Sequence, residues 1–156
     1  MTNHESFMRE AINEARLALA EGELPIGCVI TYNNEIIARA HNEREQTGDP
    51  TAHAEVVAMR RAANHLKAWR LNGCTLYVTL EPCPMCAGAI SQARVEHLVY
   101  GAPDPAQGCT GSVYRITEDP AFSHFCPGDG GVLQEECTAL LNEFFESKRN
   151  KMHKNA

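Results

Sequence analysis

Residues 74–86 read CTLYVTLEPCPMC, a run of apolar residues followed by a Cys-x-x-Cys motif. The apolar run over residues 74–80 is almost unbroken, which predicts a strand that is buried on both faces. Glu81 and Pro82 end that strand, and residues 84–94 are predicted to form a helix. A second strand over residues 97–100 completes a strand-helix-strand unit, which we expect to be parallel with a right-handed crossover.

A first helix is predicted near the start of the chain. Apolar residues recur at helical spacing over residues 7–19, which is typical of a helix with one buried face. Thr2 and Glu5 have the spacing of a capping box, in which each side chain satisfies a backbone N–H group at the start of a helix. Gly22 ends the segment.

Two strands and a second helix are predicted next. The apolar runs at 26–31 and 36–40 are rich in β-branched residues and flank the pair Asn33-Asn34. Asparagine tolerates positive φ, so this pair predicts a hairpin turn. Residues 41–51 contain glycine, aspartate and proline and are interpreted as a loop, after which a helix is predicted over residues 52–64.

The segment after the last of these strands is long and rich in glycine and proline. Loops of that length inside a compact domain are usually functional or partly structured, so we expect substrate contacts from residues 102–131 and a short helix near residues 112–117. The proline and glycines of residues 125–131 argue against a regular strand. An apolar stripe from Leu133 to Phe145 predicts a final helix.

These elements predict one α/β domain over residues 1–156, in which helices cover both faces of a mixed central sheet. The basic segment 148–156 is expected to be a frayed C-terminal tail. In sheets of this kind the site lies at the carboxyl ends of the strands. His53 and Cys83 each follow a passage from strand to helix, which places them in one crevice.

Composition and charge limit the class of protein. The chain has 156 residues and 44% hydrophobic residues, but no stretch of 18 apolar residues, so we expect no membrane span. The first ten residues lack the apolar region of a secretory signal, and a cytoplasmic location is expected. The net charge of −6 argues against a protein that coats nucleic acid, and any such contact would be local. Four basic residues cluster near the C-terminus, as a solvated tail or a binding element: Lys148, Arg149, Lys151 and Lys154.

The chain has seven cysteines, an odd number. In a reducing compartment, a Cys-x-x-Cys motif is more often a metal or redox motif than part of a disulfide framework. The five cysteines outside the motif are expected to be free and mostly packed: Cys28, Cys74, Cys109, Cys126 and Cys137. His65, His97 and His124 are interpreted as surface or core histidines, since none has ligand spacing.

Cys83, Cys86 and His53 together offer three ligands to a metal that prefers four. Zinc sites with three protein ligands keep the fourth position for water and do chemistry, whereas closed four-ligand sites hold a fold. A thiolate at a helix N-terminus is favoured by the helix dipole. Glu55 is not needed to complete the metal shell, so we interpret it as a proton carrier. A Cys-x-x-Cys motif alone would more often be a structural zinc site or a redox site. The additional His-x-Glu motif makes that interpretation the less favoured one.

The motifs resemble those of the zinc-dependent cytidine deaminase superfamily, whose signatures are H-x-E and P-C-x-x-C. Here they stand at residues 53–55 and 82–86. Within the superfamily the chain is similar to bacterial tRNA adenosine deaminases, which convert the wobble adenosine of an anticodon to inosine. The resemblance includes LPIG at 24–27, HN at 41–42, DPTAHAE at 49–55, LYVTLEPC at 76–83, CAG at 86–88, GS at 111–112 and FF at 144–145.

The resemblance implies a three-layer α-β-α sandwich and a hydrolytic deamination. It implies that His53, Cys83 and Cys86 hold one Zn²⁺ per subunit, that Glu55 moves protons between water, a ring nitrogen and the departing amine, and that the protein is a homodimer. It also implies contacts with the flipped base and the anticodon stem-loop. Asn42 would hydrogen-bond the base, and the Ala54 backbone would donate to the reacting centre. Ile26 and Pro82 would line the base pocket, and Asp104 would contact the nucleotides next to the target. Three residues near the C-terminus would approach the anticodon loop: Phe144, Phe145 and Arg149.

Several alternatives stay open from the residues themselves. Asn42 alone is more often a turn residue. For Ile26 the core interpretation is the safer one, and it is compatible with a place in the pocket wall. Phe144 and Phe145 are adjacent, so one is expected in the core and the other at the core edge, a dimer surface or an RNA platform. A free-base or nucleoside deaminase for guanine or cytosine is a second hypothesis, and a catalytically silent zinc-bearing RNA-binding protein is a third.

Overall fold

The computed structural model describes residues 3–154, with side chains as far as residue 152. The elements follow one another as α1 (Asn3–Ala20), β1 (Gly27–Tyr32), β2 (Glu35–His41), α2 (Arg44–Thr47), α3 (Ala54–Leu66), β3 (Cys74–Leu80), α4 (Pro84–Gln92), β4 (His97–Ala102), a 3-10 helix (Ile116–Glu118), β5 (Gly128–Asp129) and α5 (Gln134–Lys154). The capping box predicted at Thr2 lies outside the described residues.

The sheet is mixed, as predicted, and has the strand order β2-β1-β3-β4-β5. β1 pairs antiparallel with both β2 and β3, while β3, β4 and β5 run parallel to one another. Asn33 and Asn34 have φ values of 51° and 67°, so the hairpin turn was predicted correctly. The strand-helix-strand unit β3-α4-β4 is likewise parallel.

Each face of the sheet packs against its own pair of helices. On one face α1 and α5 cover Val29, Tyr77 and Val99. On the other face α3 and α4 cover the alternate positions of the same strands, which are Cys28, Ile30, Leu76, Val78, Leu98 and Tyr100. Because side chains of a strand alternate between faces, strands of this burial pattern need helices on both sides. The predicted three-layer α-β-α sandwich is therefore confirmed.

Two differences from the prediction concern the segments around the cleft. Residues 41–51 were expected to form a loop, but α2 forms within them. The buried Glu23 carboxylate accepts hydrogen bonds from the N–H groups of Glu45 (3.2 Å) and Gln46 (2.7 Å). These are unpaired groups at the start of α2, and their acceptor comes from a distant segment that local patterns do not reveal. The next helix begins at Ala54 rather than at residue 52.

The later part of the chain also differs from expectation. The short helix is a 3-10 turn at Ile116–Glu118 rather than a helix over residues 112–117. Within residues 125–131, only Gly128–Asp129 pairs with β4, in agreement with the effect expected of proline and glycine. Where a frayed tail was expected from residue 148, α5 is helical as far as Lys154. Within residues 3–154, no helix has both the length and the apolar character that crossing a membrane requires.

All seven cysteines are free, and the five outside the Cys-x-x-Cys motif are buried as predicted. Burial raises the pKa of Cys74 to about 11 and those of Cys126 and Cys137 to about 12. A buried thiol has little nucleophilic thiolate near neutral pH. These side chains therefore serve the fold as small apolar groups.

His41 ties the end of β2 to α1 and to the segment that follows it. Its Nδ1 lies 3.0 Å from Glu14 Oε1 and its Nε2 lies 3.1 Å from Glu21 Oε2. Burial lowers the pKa of His41, but the two carboxylates outweigh burial and the net pKa is raised above the usual 6.5. A raised pKa in the folded state stabilises the fold below the unfolded pKa, and the stabilisation is lost as pH rises through the folded pKa.

The variant His41→Gln is therefore expected to lose about 0.5–1 kcal/mol of unfolding free energy at pH 6 and less at pH 9, since partly exposed pairs are screened by solvent. Denaturant unfolding of wild type and variant at both pH values measures this difference. His65→Gln, at an exposed position of α3, is the control. An equal loss at both pH values would mean that packing, and not charge, is responsible.

Candidate active site

His53, Cys83 and Cys86 meet at the point where α3 and α4 begin. His53 is the N-cap of α3, Cys83 is the N-cap of α4, and Cys86 lies in the first turn of α4. The His53 Nδ1 atom lies 3.6 Å from Cys83 Sγ and 3.5 Å from Cys86 Sγ. The structure thus brings together the three residues that the motifs predicted.

The donor set and its spacing fit zinc. In a tetrahedral zinc site, with Zn–S bonds of about 2.3 Å and Zn–N bonds of about 2.0–2.1 Å, sulfur and nitrogen lie about 3.6 Å apart. The distances of 3.6 and 3.5 Å from the His53 nitrogen agree with that separation. Two thiolates and one imidazole are also ligands that suit zinc better than magnesium or calcium.

The two thiols differ in acidity because they share one proton. A hydrogen bond from Cys86, with a further contribution from His53, lowers the pKa of Cys83 to about 4. The pKa of Cys86 is raised, first because its thiol donates to Cys83 and second because it is buried. Cys83 is therefore the more acidic of the two thiols, and metal binding, which requires thiolates, releases the proton that the pair retains.

Glu55 lies in the first turn of α3, buried beside the cysteines and only 4% exposed. Burial is the main cause that raises the pKa of its carboxyl to about 7. A group with a pKa near the ambient pH can accept a proton and later donate it, which is the property a general base and acid requires. The placement is consistent with a proton carrier that is separate from the three metal ligands.

A cleft of about 370 Å³ opens onto these groups. Its lining is Leu24, Ile26, Arg44, His53, Glu55, Leu80, Glu81, Cys83, Pro84, Met85, Asp104 and Gln107. Of the residues predicted to contact the substrate, Ile26 and Asp104 thus belong to the described lining and Pro82 does not. Pro82 is buried, and its carbonyl accepts a hydrogen bond from the Cys109 N–H at 2.9 Å. No phenylalanine, tyrosine or tryptophan belongs to this described lining.

Asn42 and Ala54 lie at the side of the cleft, around a small cavity of about 30 Å³. The Asn42 side-chain oxygen accepts a hydrogen bond from the backbone N–H of Arg44 at 3.3 Å. The backbone N–H of Asn42 donates to the Ile26 carbonyl at 3.1 Å. The oxygen thus forms the local turn that is usual for asparagine. The turn also fixes the side chain at the edge of the site, so the two interpretations of Asn42 are compatible.

Glu81 organises the loop that forms the opposite wall. Its buried carboxylate accepts hydrogen bonds from the N–H groups of Asp104 (3.0 Å), Thr110 (3.1 Å) and Ser112 (2.9 Å), and from the Ser112 hydroxyl. Burial alone would raise the pKa of Glu81, but these donors outweigh it and the pKa is lowered. The carboxylate therefore stays ionised and fixes the loop at several points.

Asp104 and Phe145 belong to one groove that continues from the cleft to α5. The groove has a volume of about 350 Å³ and shares Leu24, Leu80, Asp104 and Gln107 with the cleft. Phe145 is half-exposed and lines the groove. Asp104 binds its own loop, accepting hydrogen bonds from the N–H groups of Ala106 (3.1 Å) and Gln107 (3.3 Å).

The other two residues expected near the anticodon loop lie outside this lining. Phe144 stacks edge-on against Phe145, with ring centroids 5.6 Å apart, and carries the Lys148 ammonium 5.4 Å above its ring. Arg149 is exposed on α5. Neither Phe144 nor Phe145 belongs to the two core clusters that the described residues form. The expectation that one of them is a core residue was therefore wrong.

Arg44 and Glu23 are site residues that the sequence did not indicate. Arg44 is the first residue of α2 and lines the cleft. Glu23 is 1% exposed and holds the first turn of α2 in place. The burial of Glu23 is known only from the structure, and an arginine in a polar segment such as that of Arg44 is common. Neither residue could therefore be predicted as a site residue from the sequence.

Glu23→Ala is expected to lower the unfolding free energy by about 1–2 kcal/mol, the usual effect of a lost helix cap. Because Arg44 and Asn42 adjoin the affected turn, KM should rise more than kcat falls. Steady-state kinetics with thermal unfolding measures both effects. Glu45→Ala removes only an exposed side chain and is the control, and a fall in kcat alone after Glu23→Ala would contradict a positioning role for α2.

The chain belongs to the cytidine and deoxycytidylate deaminase family: residues 1–102 match the zinc-binding region of these proteins. Members of this family are hydrolytic deaminases, and the cluster of His53, Cys83 and Cys86 is a candidate metal site within the matched region. The chain is therefore an enzyme of this class. The resemblance noted in the sequence is confirmed.

Within the family, the chain is similar to tRNA adenosine deaminases and, over part of its length, to a guanine deaminase. The chain is 50% identical to a tRNA-specific adenosine deaminase of Bacillus subtilis (strain 168), over 97% of this chain and 94% of the relative. A solved structure from biochemical and structural studies of A-to-I editing by tRNA:A34 deaminases at the wobble position has a TM-score of 0.84 at 43% identity, over 87% of this chain and 99% of that chain. Guanine deaminase from Bacillus subtilis has a TM-score of 0.63 at 43% identity, over 65% of this chain and 66% of that chain.

Proposed function

We propose that this enzyme converts adenosine to inosine at the wobble position of a tRNA anticodon and releases ammonia. The observation that carries the proposal is the open groove that leads from the metal-binding cluster to Phe145 on α5. A base that is flipped out of a nucleic acid remains attached to its neighbours, which need such an exit from the pocket. The 50% identity to a tRNA-specific adenosine deaminase supports the same substrate.

His53, Cys83 and Cys86 would hold one zinc ion in each subunit. When bound there, zinc supplies the Lewis acidity that makes water nucleophilic near neutral pH, since a site with three protein ligands keeps one position open. The Cys83 thiolate and the His53 imidazole are held in place by the starts of two packed helices. The protein contributes a fixed, partly buried ligand set that needs little rearrangement.

Glu55 performs the proton transfers. Its carboxylate accepts a proton from the attacking water and donates it to a ring nitrogen of adenine. It then takes the remaining proton of that water from the hydroxyl group now bonded to C6 and gives it to the exocyclic amine. The C6–N bond breaks, C6 becomes a carbonyl carbon, and the amine leaves as ammonia. Because burial raises the pKa of Glu55 to about 7, neither the protonated nor the ionised form is strongly disfavoured at neutral pH.

The walls of the cleft position the base. Ile26 offers an apolar surface, and the turn at Asn42 places an amide side chain at the edge of the site. The backbone N–H of Ala54, at the N-terminus of α3, is a donor for the reacting centre, and Pro82 supports the wall from within. Asp104 and the α5 residues Phe145, Phe144 and Arg149 lie where nucleotides next to the target would pass.

A free-base deaminase for guanine or cytosine is the alternative, and the similarity to guanine deaminase favours it. A small substrate is best held in a closed pocket with an aromatic lid. The described lining of the cleft has no phenylalanine, tyrosine or tryptophan, and the cleft opens into the groove. The geometry therefore favours a substrate that extends beyond one base.

We further propose a cytoplasmic homodimer. Four large hydrophobic side chains are exposed within a short part of the long loop: Val113, Tyr114, Phe122 and Phe125. Large apolar side chains that one loop exposes to solvent are a feature of protein interfaces. The mass of the protein in solution, measured by light scattering, tests this assembly, and a monomer at micromolar concentration would contradict it.

The substrate is tested by incubating the zinc-loaded enzyme separately with an anticodon stem-loop that carries a wobble adenosine, with guanine, with cytosine and with cytidine. Ammonia and inosine are measured. We expect turnover of the stem-loop alone, and none when guanosine replaces the wobble adenosine. Ammonia from guanine alone would overturn the proposal. Glu55→Ala serves as the inactive control.

A further inference from the structure

A second cluster of metal-binding side chains lies away from the cleft. His4 of α1, His97 of β4 and Asp129 of β5 each place one donor atom within 4.8 Å of the other two. His97 is the first residue of β4, so the cluster stands at the end of the parallel strands opposite to the one that leads to Cys83. Positions 4, 97 and 129 are far apart in the chain, and spacing gave no sign of the cluster.

The side chains are held by contacts that suit metal ligands. His97 Nε2 lies 2.8 Å from Asp129 Oδ2, and the rings of His4 and His97 are 5.5 Å apart. His4 Nδ1 lies 2.8 Å from the hydroxyl of Tyr77, a buried residue of β3. A hydrogen bond at one ring nitrogen orients a histidine and directs the other nitrogen to the metal, which is the usual arrangement around bound zinc.

The donor set selects the kind of metal. Two imidazoles and one carboxylate are ligands for zinc and its neighbours in the first transition row, whereas magnesium and calcium prefer oxygen alone. His41 provides a contrast in the described part of the chain. Its two ring nitrogens contact two different carboxylates, Glu14 at 3.0 Å and Glu21 at 3.1 Å, whereas the carboxylate that His97 contacts is itself a member of the cluster.

We propose that His4, His97 and Asp129 bind a second zinc ion, with water completing its shell. The ion would connect three elements that the backbone joins only weakly at this point. β5 pairs with β4 over two residues, Gly128 and Asp129, flanked by backbone hydrogen bonds at Pro127 and Gly131, and α1 is a helix that meets the sheet through side chains. The second zinc therefore stabilises the packing of α1 and the edge strand and takes no part in catalysis.

The test uses the full chain with its catalytic zinc in place. Five proteins are equilibrated in the same zinc-buffered solution: wild type, His4→Ala, His97→Ala, Asp129→Asn and the surface control His65→Ala. The zinc content per chain is then measured by inductively coupled plasma mass spectrometry. We expect one more zinc per chain in wild type and His65→Ala than in the three cluster variants. Equal zinc content in all five proteins would overturn the proposal.

Two further measurements keep the result independent of misfolding. Added zinc should raise the melting temperature of wild type and His65→Ala but not of Asp129→Asn, which keeps the shape of the side chain. Added Co²⁺ should give visible absorption without the sulfur charge-transfer band that a cysteine-ligated ion shows. A sulfur band from the second equivalent, or equal zinc-induced shifts in Asp129→Asn and wild type, would exclude the cluster as the site.

Discussion

Replacing Glu55 with alanine is expected to lower kcat by about 10⁴-fold, the upper end of the range for one acid–base group, because the same carboxyl serves both proton transfers. The variant should keep its zinc and its fold, since His53, Cys83 and Cys86 supply the ligands. Single-turnover kinetics with zinc analysis measures both properties. Glu55→Gln, which keeps the size of the side chain but carries no titratable proton, should be equally inactive.

Glu45→Gln provides the control, because it changes a carboxylate that is exposed on α2. It should deaminate at a rate close to that of wild type. If the zinc content of Glu55→Ala fell together with its activity, Glu55 would be a metal ligand and the role of proton carrier would be wrong. If kcat fell less than tenfold, another group would have to move the protons.

Glu81→Ala is expected to have the second-largest effect. Four donors around the buried carboxylate would lose their acceptor, three of them backbone N–H groups. Hydrogen bonds to a charged group each contribute about 1.5–3 kcal/mol and are not additive, so we expect a loss of about 3 kcal/mol or more in unfolding free energy. Since the loop that carries Asp104 and Gln107 would move, kcat/KM should fall by about 10²-fold.

Two matched variants separate the loop from the fold as a whole. Ser112→Ala removes one hydroxyl donor and should cost about 1 kcal/mol. Gly108→Ala reaches the same contact from the other side, because a Cβ atom at Gly108 would overlap the Glu81 carboxyl. Activity should fall in the order Ser112→Ala, then Gly108→Ala and Glu81→Ala, with zinc retained. Loss of zinc from Glu81→Ala at a temperature where the protein is folded would show that Glu81 acts through the metal.

The sequence predicted those features that local patterns and compact motifs determine. β3 is recognisable because it is buried on both faces, and the hairpin because Asn33 and Asn34 accept positive φ. The cluster of His53, Cys83 and Cys86 was recognisable because each residue stands at the start of a helix with characteristic neighbours. In all of these cases the determining residues lie within a few positions of the feature itself.

Features that depend on distant residues were not predictable in the same way. α2 needs the Glu23 carboxylate, and the loop after β4 needs Glu81, which is more than twenty residues away. The Phe144 and Phe145 pair illustrates the same difficulty. Both fit the apolar stripe of a helix, but the length of sheet that α5 covers determines where the stripe leaves the core, and only the fold shows that.

The contrast between Cys83 and the five packed cysteines has a consequence for oxidative stress. Cys83 is partly exposed and its pKa is lowered, and an accessible thiolate is the form that reacts with peroxides and alkylating agents, whereas buried thiols with raised pKa values are protected. Oxidation is therefore directed to a residue of the catalytic centre. Zinc occupancy would shield this sulfur, so the supply of zinc in the cell sets how well the enzyme survives an oxidant as well as whether it is active.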